Sequence, residues 1–196
     1  MLLKNHIRTF TILGALISFL TIGVMQSFAQ DARETIDATA RGTSTQMGKD
    51  FNVKIIINKY STQEDRETLV NAFKKGQSQG LANALEKMPS VGRILIPGTV
   101  GYDLSYITTI PTETGRKIRF VTNRRIAFAE AARNTRSKDY SLTAGEINID
   151  DKETKKSQGT LLPAAQLIIN DKGQLQWELY KNPWQLTNII DWNKKE

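Results

Sequence analysis

The stretch Phe51-Asn52-Val53-Lys54-Ile55-Ile56-Ile57-Asn58-Lys59-Tyr60-Ser61-Thr62 decides the fold class, because it joins two different periodicities. Phe51, Val53, Ile55 and Ile57 alternate with Asn52, Lys54, Ile56 and Asn58. That is the period-two pattern of a half-buried strand, predicted over 51–60. Ser61 then stands three residues before Glu64, the spacing at which a hydroxyl and a carboxylate each satisfy an orphan backbone donor, so a helix is predicted to start here. Acidic residues fill its first turn, where the helix dipole favours them.

Leu69, Val70 and Phe73 lie on one face of that helix, and Lys74, Lys75 and Gly76 make a basic last turn followed by glycine, the usual C-terminal signal. Ser78 caps a second, shorter helix with Leu81, Ala82, Leu85 and Met88 inward, stopped by Pro89. The expectation is a helical hairpin inserted after the first strand.

Beyond Pro89 every periodic segment reads as strand. Val91–Ile96 is short and apolar, Tyr102, Leu104, Tyr106 and Ile110 alternate with polar residues, and a turn over 111–115 leads into 117–122. In 140–150 the apolar phase changes from even positions (Tyr140, Leu142, Ala144) to odd ones (Ile147, Ile149), which predicts a bulge at Gly145. Strands are expected near 161–169, with Pro163 marking an edge or bend, over 174–180 after a turn at 170–173, and over 186–192. The predicted fold is therefore α+β: a curved antiparallel sheet or partly open β-barrel of about seven strands, with the helical hairpin closing one face or mouth.

Outward from this domain, the N-terminus has the three parts of a secretory signal: Lys4 and Arg8, an uncharged apolar run over 9–25, and Ser27-Phe28-Ala29 as a small-x-small cleavage site. The expected organisation is a signal peptide over 1–29, a flexible leader over 30–50 and one domain over 51–196, exported to the periplasm or the medium with no transmembrane segment after cleavage. The leader reads as mobile because it is rich in Thr, Ala, Gly, Asp and Arg. Gly42 to Lys49 has five residues between its glycines and Asp50 after the lysine, which departs from a phosphate-binding loop in both respects.

The chain holds 27 basic and 20 acidic residues, a formal charge of +7, and no cysteine. Loss of Lys4 and Arg8 with the signal lowers that charge by two. The single histidine, His6, lies in the signal. The mature chain thus has neither a Ser-His-Asp nor a Cys-His arrangement, no disulfide, and none of the nitrogen and sulfur ligands of a usual zinc site. No serine is followed at the third position by lysine, which also weakens a serine-lysine hydrolase.

Three groups of residues remain as candidates. Arg116–Lys138 is strongly basic, and Arg119, Arg124, Arg125, Arg133, Arg136 and Lys138 would grip an anionic envelope component if they converged. A solvated charged face is the plainer reading, and Phe120 and Phe128 look like core contacts, so nucleic acid is not expected as a partner. Tyr102, Leu104, Tyr106, Tyr140 and Trp177 would line a pocket for a small apolar ligand if the sheet curls, or else fill a plain core. Asp103 and Glu146 are the carboxylates of a hydrolase without histidine. Asp150, Asp151 and Glu153 lack the calcium-loop pattern and read as a turn. No metal or cofactor is expected.

Ser61, Thr62 and Arg66, then Gly101-Tyr102-Asp103-Leu104, then Thr122 to Phe128 and Ser137 to Tyr140 resemble the short motifs of an uncharacterised group of secreted bacterial proteins. The resemblance implies a single exported domain and carries no activity. The leading expectation is a non-enzymatic binding or interaction module of the cell envelope. A carboxylate-dependent hydrolase of an envelope or extracellular polymer and a structural envelope factor are the alternatives.

Overall fold

A computed structural model describes residues 33–122, 124, 140–169, 171, 175–179 and 182–193; the expected signal segment lies outside them. Nine strands occur among these residues: β1 (Glu34–Gly42), β2 (Asp50–Ile57), β3 (Gly92–Leu95), β4 (Tyr102–Pro111), β5 (Gly115–Thr122), β6 (Leu142–Asp150), β7 (Gln158–Ile169), β8 (Leu175–Leu179) and β9 (Trp184–Asp191). A helical segment, α1 (Gln63–Lys87), follows β2. Each strand from β1 to β7 pairs antiparallel with the next, β9 pairs with both β7 and β1, and the result is a closed eight-stranded barrel. β8 pairs only with the C-terminal half of β7 and stands outside the ring.

The antiparallel, mainly β character with an inserted helical segment matches the sequence reading, but the sheet is closed where a partly open one was expected. The extra strand comes from the supposed leader. Residues 34–42 form β1, whose Ile36, Ala38 and Ala40 are buried in the barrel while Thr35, Asp37 and Thr39 alternate with them. Small alanines on the inner row gave too little apolar signal to reveal the strand. The helical insertion consequently follows the second strand, not the first.

The predicted break in the helix is real. Gly76 and Gln77 leave helical geometry, Gln77 with φ of 51°, so two helical pieces meet at a kink. The cap is shifted by one residue: Thr62 accepts from the Asp65 N–H and Asp65 accepts from the Thr62 N–H, so the Ser61–Glu64 box does not form. Ser61 is otherwise engaged. Its Oγ accepts from the Ile107 N–H at 3.0 Å and its own N–H donates to the Ile107 carbonyl at 2.8 Å, covering the part of β4 that outruns the short β3. At the kink, Ser78 Oγ accepts from the Leu167 N–H at 3.2 Å, on the part of β7 that outruns β6. The helical segment therefore patches both gaps in the ladder.

Inside the barrel, alternate residues of each strand make a filled core that includes Ile55, Ile94, Leu104, Ile107, Ile118, Phe120, Ile147, Leu161 and Leu186. The inner phase shifts at three irregularities: Ser105 on β4, the Pro163–Ala164 step on β7, and Asn188 on β9, which has φ of 49°. Pro163 thus sits where a strand tolerates proline, and its carbonyl accepts from Thr143 Oγ1 at 2.7 Å. Gly145 is not a bulge. It pairs in register with Phe120, whose ring lies over it on the inner face, and β6 keeps one phase throughout. Leu142 and Ala144 point outward and are apolar because α1 and the outer groove lie over that part of the wall.

One mouth of the barrel is closed by charge. Arg116, at the start of β5, reaches across to Asp191 at the end of β9 (2.6 Å) and Glu34 at the start of β1 (2.9 Å), on the opposite wall. Tyr60 donates to Glu34 at 3.0 Å and accepts from Arg116 at 3.3 Å. Burial, together with the Glu34 carboxylate, pushes the Tyr60 phenol well above its ordinary value. Burial works against the Arg116 charge, but the bonds to Glu34 and Asp191 outweigh it and raise its pKa further.

Candidate functional site

With the interior filled, an apolar recess lies on the outside. The outer faces of β4 to β7 form its floor, α1 is one wall, and Trp177 on β8 overhangs the other. Two adjoining chambers of about 760 and about 420 Å³ share Arg66, Tyr106, Val121, Leu167 and Trp177 among their described lining residues. The smaller is a slot floored by Leu69, Phe73, Leu81 and Leu85, which pack with Leu142 in a second core between helix and barrel. Val70, Ile169 and Trp177 line it and remain 40%, 49% and 36% exposed.

Local geometry explains why these side chains meet. Arg66, Val70 and Lys74 are spaced by four residues and share a helix face. Leu167 and Trp177 are directly paired across β7 and β8 and therefore share a sheet face. The segment of β7 that leaves the ring carries β8 outward as a flap beside α1. This flap is what turns a flat barrel wall into a groove.

The expected pocket residues divide between two places. Leu104 is wholly buried inside the barrel and Tyr102 packs against that same core, whereas Tyr106 and Trp177 line the outer groove. The expectation of one continuous inward row is overturned, because the irregularity at Ser105 reverses the facing of β4 between Leu104 and Tyr106. Tyr140 lies half-buried just before β6. In the sequence Leu69, Val70 and Phe73 read only as one face of an amphipathic helix, Lys74 as part of its basic last turn and Arg66 as part of a short shared motif. Their exposed apolar neighbours depend on the β8 flap, which helix periodicity does not register.

Of the expected anion-binding residues, Arg119 and Arg124 fall within the described residues, while Arg125, Arg133, Arg136 and Lys138 lie outside them. Arg119 faces outward beside the larger chamber and is bound to Glu146 at 2.7 Å. Arg124 stacks over the Tyr102 ring, 5.2 Å from its centroid, beyond the end of β5. The two are held by different partners, Glu146 for Arg119 and the Tyr102 ring for Arg124, and do not share a site.

The two carboxylates considered for hydrolysis are each tied up separately. Asp103 pairs with Arg93 at 3.4 Å on the outer wall. Glu146 is bound by Lys117 at 2.9 Å and Arg119 at 2.7 Å; burial works against its ionisation, but these bonds outweigh it and hold the carboxyl below its ordinary range. That is the opposite of what a general acid needs. Asp150 accepts from the Lys152 and Glu153 N–H groups, the turn expected there. No metal-ligating group of three or more acidic or histidine residues occurs among the described residues.

No family model, curated protein or solved structure matches this chain. The site must be argued from its own chemistry. A second depression of about 590 Å³ lies over β1, β2 and β9 under the 96–99 loop, but Lys54 and Asp37 pair at 3.0 Å within it and Trp192 Nε1 donates to Asp37 at 2.8 Å. Its two charged lining groups satisfy each other. The outer groove differs in holding two cations, Arg66 and Lys74, without partners among the described residues; no described helix is long and apolar enough to cross a membrane.

Proposed function

We propose that this protein is an exported, non-enzymatic binding module that holds a small apolar ligand in the groove between α1, the outer barrel wall and the β8 flap. The observation that carries the reading is the location of apolar surface: the lumen is packed solid and its mouth tied, while Val70, Ile169 and Trp177 are left exposed around one recess. Chambers of about 420 and 760 Å³ lie in the range of small-molecule sites, which combine apolar walls with a few polar groups. The signal-like N-terminus supports an envelope or extracellular setting. The hydrolase reading lacks such support, since Asp103 and Glu146 are held in separate ion pairs.

Native mass spectrometry of the protein purified gently from the producing cell tests this. A retained adduct of defined mass, lost when Val70→Glu places a charge in the slot, is the expected result. A bare protein that also fails to bind an uncharged apolar fluorophore refutes the proposal.

A further inference from the structure

We infer that the groove selects a single-chain anionic amphiphile, with its carboxylate on Arg66 and its tail along the slot toward Leu81 and Leu85. The inference rests on the groove being a ligand site, and adds the chemistry of what enters. Four charged side chains line the two chambers among the described residues: Arg66, Lys74, Arg119 and Glu146. Arg119 and Glu146 neutralise each other, with Lys117 as a further partner of Glu146. The Arg66 and Lys74 side chains make no ion pair or hydrogen bond among the described residues. An apolar slot whose only uncompensated charges are positive repels a cation, wastes nothing on a neutral hydrocarbon, and rewards an anion with an apolar tail.

The position of the head follows from the shape. Arg66 lines both chambers, at the place where the narrow slot opens into the wider, more polar space beside Arg119 and Thr108. Lys74 lies two helical turns away, about 12 Å along the axis, and lines the slot only. A head at Arg66 lets the tail occupy the apolar slot and keeps the carboxylate in the polar chamber, where a guanidinium can bind both its oxygens. The reverse orientation would put the tail among Arg119, Glu146 and Thr160.

The test is displacement of N-phenyl-1-naphthylamine, an uncharged probe, from the purified protein by decanoate and by 1-decanol, which have the same chain and differ in head charge. Decanoate is expected to displace it at about tenfold lower concentration, the scale of one charge-assisted hydrogen bond at a partly exposed site. Arg66→Gln should bring the two competitors to parity, and Lys74→Gln should leave the preference in place. Both positions are exposed on the helix, and unchanged melting temperatures would confirm intact folds. Equal displacement by the two in the native protein, or a preference that survives Arg66→Gln, overturns the inference while leaving the groove as a ligand site. Probe binding that neither competitor disturbs, together with cosedimentation on phosphatidylglycerol vesicles, overturns it in favour of a membrane surface. Failure of the probe itself to bind refutes the underlying proposal instead.

Discussion

Replacing Gly145 by alanine sets two opposed effects against each other, and the barrel interior decides the sign. In an ordinary strand the change stabilises by about 0.5–1 kcal/mol, because glycine loses more backbone freedom on folding. Here the added methyl would meet the Phe120 ring, with its Cε1 and Cε2 atoms at 2.6 Å. Phe120 is only 1% exposed and hemmed in by the core, so it cannot swing away without displacing its neighbours. Overpacking of this kind costs about 1–3 kcal/mol, giving a net loss of about 1–2 kcal/mol and a melting point lower by roughly 2–8 °C for a domain of this size. Urea unfolding of Gly145→Ala, Phe120→Leu and the double variant measures it. Phe120→Leu removes the ring, so the methyl should cost less in that background, with a coupling of about 1 kcal/mol. Equal costs in both backgrounds, or stabilisation by Gly145→Ala alone, would refute the claim that this glycine exists to admit Phe120.

Removing the charge at the barrel mouth with Arg116→Gln should destabilise by about 2–3 kcal/mol, since Glu34 and Asp191 are left mostly buried without their cation; Arg93→Gln, which breaks an exposed pair with Asp103, should change stability by less than about 0.5 kcal/mol in the same denaturation assay. Ser61→Ala strips the acceptor from the Ile107 N–H and should cost about 1–2 kcal/mol, with faster amide exchange at Ile107 than at its neighbours. Glu146 has its pKa depressed in the fold, so its contribution is present above the ordinary carboxylate range and is lost as pH falls through its lower folded value. Glu146→Gln should therefore flatten the acid limb of a stability-against-pH curve below about pH 4, and an unchanged limb would show that Lys117 and Arg119 do not stabilise that charge.

Strands with large apolar residues on one face were legible: β2 through Val53, Ile55 and Ile57, and β5 through Ile118 and Phe120. β1 was not, because closure of a small barrel needs small residues on some inner rows, and Ala38 and Ala40 carry little hydrophobic signal. The phase change in β6 was visible but misread. A strand that is apolar outside where a helix covers it and polar where none does imitates a bulge without having one. Tyr106 and Trp177 were picked out as large amphipathic groups and do line the groove, yet their partners Arg66, Val70 and Lys74 belong to a helix whose cover depends on a strand a hundred residues later. Such a site is a product of tertiary closure and has no local pattern of its own.

Because the ring is closed by β9 pairing with β1 and β7, the last of the described strands completes the hydrogen bonding of the first. Until those final residues are available, β1 and the N-terminal half of β7 each present an open edge, and open edges recruit strands from other chains. Loss of β9 would open the ring between β7 and β1, and loss of β1 would open it between β2 and β9. Closing the ring requires a pairing between residues about 150 positions apart, the sort of distant contact that makes β-barrels slow to form. A chain built this way gains from being kept unfolded until β1 and β9 are both free to pair.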